Sequence, residues 1–165
     1  MPISGTKRGA MFHKLENLTA IFAVIAVLGI SMTFGGPARA DDEKHVYPVA
    51  GALNTPAAKE KLDGSVSFYF GNTKHPAVKT NFGETVTNKK TNGFAKSDHE
   101  ACMHVMLSAL IALQEEAKAQ GANAVINIHS YFKRNDVSYD DKFECYSGFL
   151  MSGVALKGDI VKLAR

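Results

Sequence analysis

Apolar and polar residues alternate along much of this chain with two different periods, and those periods predict its elements. Asp41 to Leu53 keeps no sustained rhythm and reads as an arm contributing one short strand around Val46 to Val49. Thr55-Pro56 places a hydroxyl at an N-cap and proline at the first helical position, so a short helix is expected over Ala57 to Leu62, stopped by Asp63-Gly64. Ser65 to Phe70 alternates, with Val66, Phe68 and Phe70 opposed to Ser67 and Tyr69, the pattern of a half-buried strand. Glu84 to Thr91 is β-branched but polar on both faces and suits an edge strand, whose lysines discourage pairing with other chains.

Ser97 followed three residues later by Glu100 forms a capping box, and the helix it opens is expected from Asp98 to Gln120, with Gly121 as its stop. Cys102, Val105, Met106, Ala109, Leu110, Leu113 and Ala117 recur on one helical face, while Glu100, His104, Ser108, Glu115 and Lys118 mark the wet side. Met103, Leu107 and Ile111 widen the apolar arc. Something beyond the sheet must cover them, either the short helix or a second subunit.

Ala124 to Phe132 alternates again, with Ile126, Ile128 and Phe132 opposed to Asn127, His129 and Tyr131. After a polar turn region over Lys133 to Asp141, Phe143 to Leu163 resumes strand character, bent or bulged at Gly148, Gly153 and Gly158. Phe143, Cys145, Phe149 and Met151 share one parity. The helix period and the strand period therefore aim Cys102 and Cys145 into the same helix-on-sheet interface, where a bridge can form. The expected fold is α+β, a mostly antiparallel sheet packed on one long helix with one short extra helix. Its boundaries are an arm over 41–54 and a single domain over 55–165.

The first 40 residues follow a different logic. Lys7, Arg8 and Lys14 precede the apolar run Leu18 to Met32, after which Gly35-Gly36-Pro37 breaks the helix and Ala38 and Ala40 supply small side chains. This is the order of a cleavable secretory signal peptide over residues 1–40, cut between Ala40 and Asp41. The run of about 15 apolar residues falls short of the roughly 20 that span a bilayer, so no stable membrane anchor is expected after cleavage. Translation from Met1 or from Met11 gives the same product. The expected compartment is the periplasm, whose oxidising conditions favour a Cys102–Cys145 disulfide.

Charge follows from the same cut. The chain carries 19 Lys and Arg against 16 Asp and Glu, but Lys7, Arg8, Lys14 and Arg39 against Glu16 lie before position 41. The remainder is neutral, with no net charge to draw nucleic acid or acidic membranes. The three lysines beside Phe94 in Asn88 to Lys96 accordingly read as an exposed edge and a turn.

The sequence lacks a P-loop, a Gly-x-Ser-x-Gly elbow, a His-Glu-x-x-His pair and a Rossmann fingerprint, and no catalytic residue or cofactor is assigned. His99, Cys102 and His104 are the densest His/Cys cluster. On a helix His104 is rotated about 140° from His99, so the three do not converge, and the two histidines rank with His129 as weak metal ligands. His45, near the expected new N-terminus, reads as solvated, with loose copper or zinc binding as the alternative. Tyr69, Asn127, His129, Tyr131 and Tyr146 have parities opposed to the helix-facing set, and together they form a candidate binding face.

Four stretches carry a resemblance: TPAAKEKLDGSVSFYFG, NKKTNGFAKSDHEAC, GANAVINIHSYFKRN and FECYSGFLMSGVALKG. Over positions 50 to 163 the chain resembles small exported proteobacterial proteins that often carry the label excinuclease ATPase subunit. That label implies nucleotide hydrolysis and DNA repair, which the missing P-loop and the leader contradict; it reads as a misnomer. The last 65 or so residues are similar to the YbjQ-like heavy-metal-binding fold and to the Rcs envelope-stress lipoprotein, which implies an α/β sandwich. The chain departs from that lipoprotein in lacking an anchor cysteine and a second disulfide, and from the metal binders in lacking a thiol-rich site.

These readings give a first expectation of an exported, non-enzymatic binding or envelope-associated module that meets an envelope protein or a small ligand, with homo-oligomerisation open. The alternatives are a zinc- or copper-handling protein and an enzyme with His129 as base.

Overall fold

The computed structural model describes residues 42–93 and 95–164. The leader and its expected junction at Ala40 and Asp41 lie outside the described residues. The elements in chain order are β1 (Glu43–Pro48), α1 (Val49–Leu53), α2 (Pro56–Lys61), β2 (Ser67–Phe70), β3 (Val78–Asn92), α3 (Asp98–Ala119), β4 (Ala124–Ser130), a 3-10 turn (Phe132–Arg134), β5 (Lys142–Ser147) and β6 (Met151–Leu163). The fold is α+β with a mostly antiparallel, curled sheet.

The 13-residue β6 organises the sheet. The outlying β3 runs antiparallel along one edge of it, while β5 and then β4 share the other. From β5 the sheet continues to β1, antiparallel, and from β4 to β2, which is its one parallel pairing among the described residues. Among the described residues β3 pairs with β6 alone, and it is the lysine-bearing edge that the polar pattern predicts, though it starts earlier, at Val78.

Local chemistry explains the helices. Thr55 Oγ1 accepts from the Ala58 amide at the start of α2, and Ser97 Oγ accepts from the Glu100 amide at the start of α3. At the far end of α3 the Gly121 amide donates to the Lys118 carbonyl and the Ala122 amide to Ala117, with Gly121 at φ 71°, so the last turn closes as a Schellman motif. The short helix α1 falls within the expected arm, where no period announces it. It packs on α3 and brings Gly51 against Met103 Sδ; of the apolar excess of that helix, Met103 and Leu107 are buried within the chain and Ile111 is half-buried.

The main core lies between α3 and the sheet. It includes Val105, Met106, Leu110, Leu113, Val125, Ile128, Phe143, Val154, Leu156 and Ile160, and it encloses the Cys102–Cys145 disulfide, whose two cysteines are fully buried with Cα atoms 5.8 Å apart. Two periods, each read independently, thus locate this bridge.

Three expected parities are corrected. Ile126 does not share a face with Ile128. It joins Ala124, Val161, Leu163 and Tyr69 in a second apolar cluster, whereas Ile128 lies in the main core. The reason is a bulge at Asn127, which takes φ 52° and lets two residues of β4 stand opposite Gly158, so the alternation restarts one residue late. Phe132 leaves the core-facing set because β4 ends at Ser130; the following turn, with Lys133 and Arg134 at positive φ, carries its ring to Tyr146. Phe149 and Met151 lose the parity of Phe143 and Cys145 because residues 148–150 are a turn between β5 and β6, closed by the Gly148 amide on the Met151 carbonyl.

Candidate functional site

The face of the sheet turned away from α3 carries the five residues singled out by parity, spread along β6 rather than gathered at one point. Tyr69 sits at one end, on the second apolar cluster, with its ring 5.6 Å from His75. Asn127 occupies the bulge, and its Nδ2 donates to Asp159 Oδ2 at 2.7 Å.

Mid-sheet, His129 is held at both ring nitrogens. Nε2 lies 2.7 Å from Asp136 Oδ1 and Nδ1 lies 2.7 Å from the Asn127 carbonyl. Lys157 stands beside it, 2.9 Å from Glu84 Oε2, 3.6 Å from Asp136 Oδ1 and 5.0 Å from the centre of the Tyr131 ring. The hydrogen bond to Glu84, and then the nearby Asp136 charge, hold the Lys157 ammonium above its ordinary range. His129, Asp136, Lys157 and Glu84 are thus all paired within the cluster. That makes it a pre-ordered polar surface, and His129 as a free general base has its Nε2 occupied by Asp136.

Tyr146 lies at the opposite end from Tyr69. Its ring stacks on Phe132 with centroids 3.6 Å apart and planes 11° from parallel, and its hydroxyl donates to Glu144 Oε2 at 2.9 Å. Glu144 is 2% exposed and also accepts from Lys44 Nζ at 3.2 Å and from the Tyr139 hydroxyl at 3.4 Å. One cation and two phenols thereby satisfy a carboxylate that burial would otherwise penalise heavily. Burial first, and then the Glu144 carboxylate, pushes Tyr146 up to about 12.

Beside this pair opens a concavity of about 280 Å³ whose walls include Asp42, Lys90, Phe132, Lys133, Tyr146 and Met151. It combines a stacked aromatic wall, two ammonium groups and one carboxylate, a set that fits a small, partly planar, anionic or zwitterionic molecule. Among its walls Tyr146 is legible from strand parity, whereas Phe132 and Lys90 are not. Glu144, behind the wall, was also legible in principle, since it shares the parity of Tyr146 and stands as a charge inside an apolar-flanked strand.

The histidines are placed differently from expectation in one case. His45 is not solvated: its Nε2 is buried without a hydrogen-bond partner among the described residues, 3.9 Å from Asp98 Oδ2, and its ring stacks on Tyr47 at 5.8 Å. The return of β1 along β5, toward the start of α3, covers it. Tyr47 in turn meets His99 edge-on at 5.2 Å. His99 and His104 both line a groove of about 340 Å³ with Thr55, Lys96, Met103 and Leu107. Among the described residues no three His, Cys, Asp or Glu side chains converge as a set able to hold a metal ion. No helix among them is long and apolar enough to cross a membrane.

No family model, curated protein or solved structure matches the chain.

Proposed function

We propose that the protein is an exported, disulfide-braced binding module of the bacterial envelope, a relative of the small exported proteobacterial proteins it resembles, built as a YbjQ-like sandwich and working in the periplasm. Its function is to hold a small ligand or an envelope partner on the sheet face opposite the long helix. The observation that carries this reading is the concavity against the Phe132–Tyr146 stack, the point where aromatic area and unequal charge meet an open surface. A buried disulfide in an otherwise ordinary core supports an oxidising compartment.

The test is to recover the protein from the periplasm of its host and determine its N-terminus and bound small molecules by native mass spectrometry. The expected result is a chain starting at Asp41 carrying a ligand that Phe132→Ala and Lys90→Ala each weaken at least tenfold. Full-length, reduced protein in the cytosol would overturn the compartment. A ligand indifferent to both substitutions would overturn the site.

A further inference from the structure

The three residues that close the β5–β6 turn are apolar and face water: Phe149 is 92% exposed, Leu150 51% and Met151 45%. Phe149 and Leu150 lie in the turn and Met151 opens β6, so the three form a projecting tip rather than a flat patch. Cations surround its base. Lys90 stands opposite Gly153 in the sheet, Lys133 lines the same concavity as Met151, and Lys96 follows a loop whose Gly93 amide is bonded to the Leu150 carbonyl. Acidic groups at this end are Asp42, 3.6 Å from Lys133, the exposed Glu43, and the exposed Asp98 and Glu100, which follow Lys96 at the start of the long helix. Lys90 and Lys96 have no ion pair among the described residues. The neutral net charge beyond position 40 therefore leaves Lys90 and Lys96 as cations without an ion pair beside an apolar point.

We infer that this tip docks the protein on an anionic phospholipid surface, with Phe149 and Leu150 entering the boundary between headgroups and acyl chains and Lys90 and Lys96 meeting phosphates. An apolar tip with a basic collar is the arrangement that interfacial membrane binding uses. The collar also argues against a second copy as occupant, because a symmetric tip-to-tip contact brings two sets of lysines together. The inference deepens the envelope reading by naming a surface. It is separable from the ligand reading, since Phe149, Leu150 and Lys96 do not line the concavity beside Tyr146.

The experiment is co-sedimentation of the purified protein with vesicles of phosphatidylcholine alone and of phosphatidylcholine with 30% phosphatidylglycerol, at low and high salt. Wild type and variants share one N-terminus, so any contribution of the leader cancels in the comparison. Binding to the anionic vesicles is expected at least tenfold tighter than to the neutral ones and weaker at high salt. Phe149→Ser with Leu150→Ser should lose at least tenfold, and Lys96→Glu several-fold, with thermal midpoint and disulfide unchanged. Equal binding to both vesicle types, or binding indifferent to the double substitution, overturns the proposal. So does self-association abolished by the double substitution without vesicle binding, which would assign the tip to a second copy, and so does a protein captured through the tip in place of lipid.

Discussion

Tyr146 and Glu144, two residues apart on β5, face the same way, and the phenol donates to the carboxylate at 2.9 Å. This bond has a measurable signature. Tyr146 should ionise near 12 rather than 10, and in Glu144→Gln its titration should move down while staying above 10, because burial is the larger cause. The folded-state value lies above the unfolded one, so the stability this group contributes is complete below pH 10 and is lost as pH rises from 10 toward about 12. Absorbance of the phenolate against pH, followed in wild type and the Gln variant, checks both statements.

Gly158 supports the bulge from the neighbouring strand. A Cβ there would stand 3.0 Å from the Ile126 carbonyl oxygen and 3.2 Å from Ile128 Cγ1. Gly158→Ala should therefore destabilise the fold by about 1–3 kcal/mol through overpacking. Gly64→Ala is the control, since its Cβ meets nothing within 4 Å and its cost is that of a positive φ alone. Denaturant midpoints at constant slope separate the two.

Breaking the bridge between Cys102 and Cys145 reopens a span of 43 residues. The expected loss is about 4 kcal/mol in the chain-entropy picture, read from urea unfolding of the oxidised and reduced protein. The loss should be felt first on β5, the strand that carries Glu144 and Tyr146. Reduction is thus expected to restore a normal Tyr146 titration before helicity falls.

Gln114 is 2% exposed on the long helix and clamps the end of α2: its Oε1 accepts from the Asp63 amide at 3.2 Å and its Nε2 donates to the Lys61 carbonyl at 3.2 Å. Gln114→Leu leaves both backbone groups without a partner and should cost about 1–3 kcal/mol. Hydrogen exchange should show the added opening at Leu62 and Asp63.

The long helix, its caps and the convergence of the cysteines were legible because each depends on neighbours within a turn or on an uninterrupted period. The inward side of β4 was not. Its alternation in the sequence is regular, and the bulge that interrupts it depends on a glycine 31 positions away. The displacement of Phe132 was hidden for a similar reason, since it follows from a strand ending at Ser130, where the Ser130 hydroxyl accepts from the Glu144 amide. Parity found Tyr131, His129 and Tyr146 on one surface but could not say that Tyr69 lies at the other end of it. Nor could it bring Lys90 from a distant edge strand to the side of Tyr146. Distances along a sheet depend on register, and register is a property of pairs of strands.

The interior of a β-strand is ordinarily where loss of a codon does most harm, because everything downstream changes sides. Position 127 reverses that rule. Without Asn127, Ile128 would follow Ile126 directly, and every remaining residue of β4 would keep its present neighbour across the sheet. A chain one residue shorter at that point is thus expected to fold with the same inside and outside, forfeiting little beyond the contacts Asn127 itself makes.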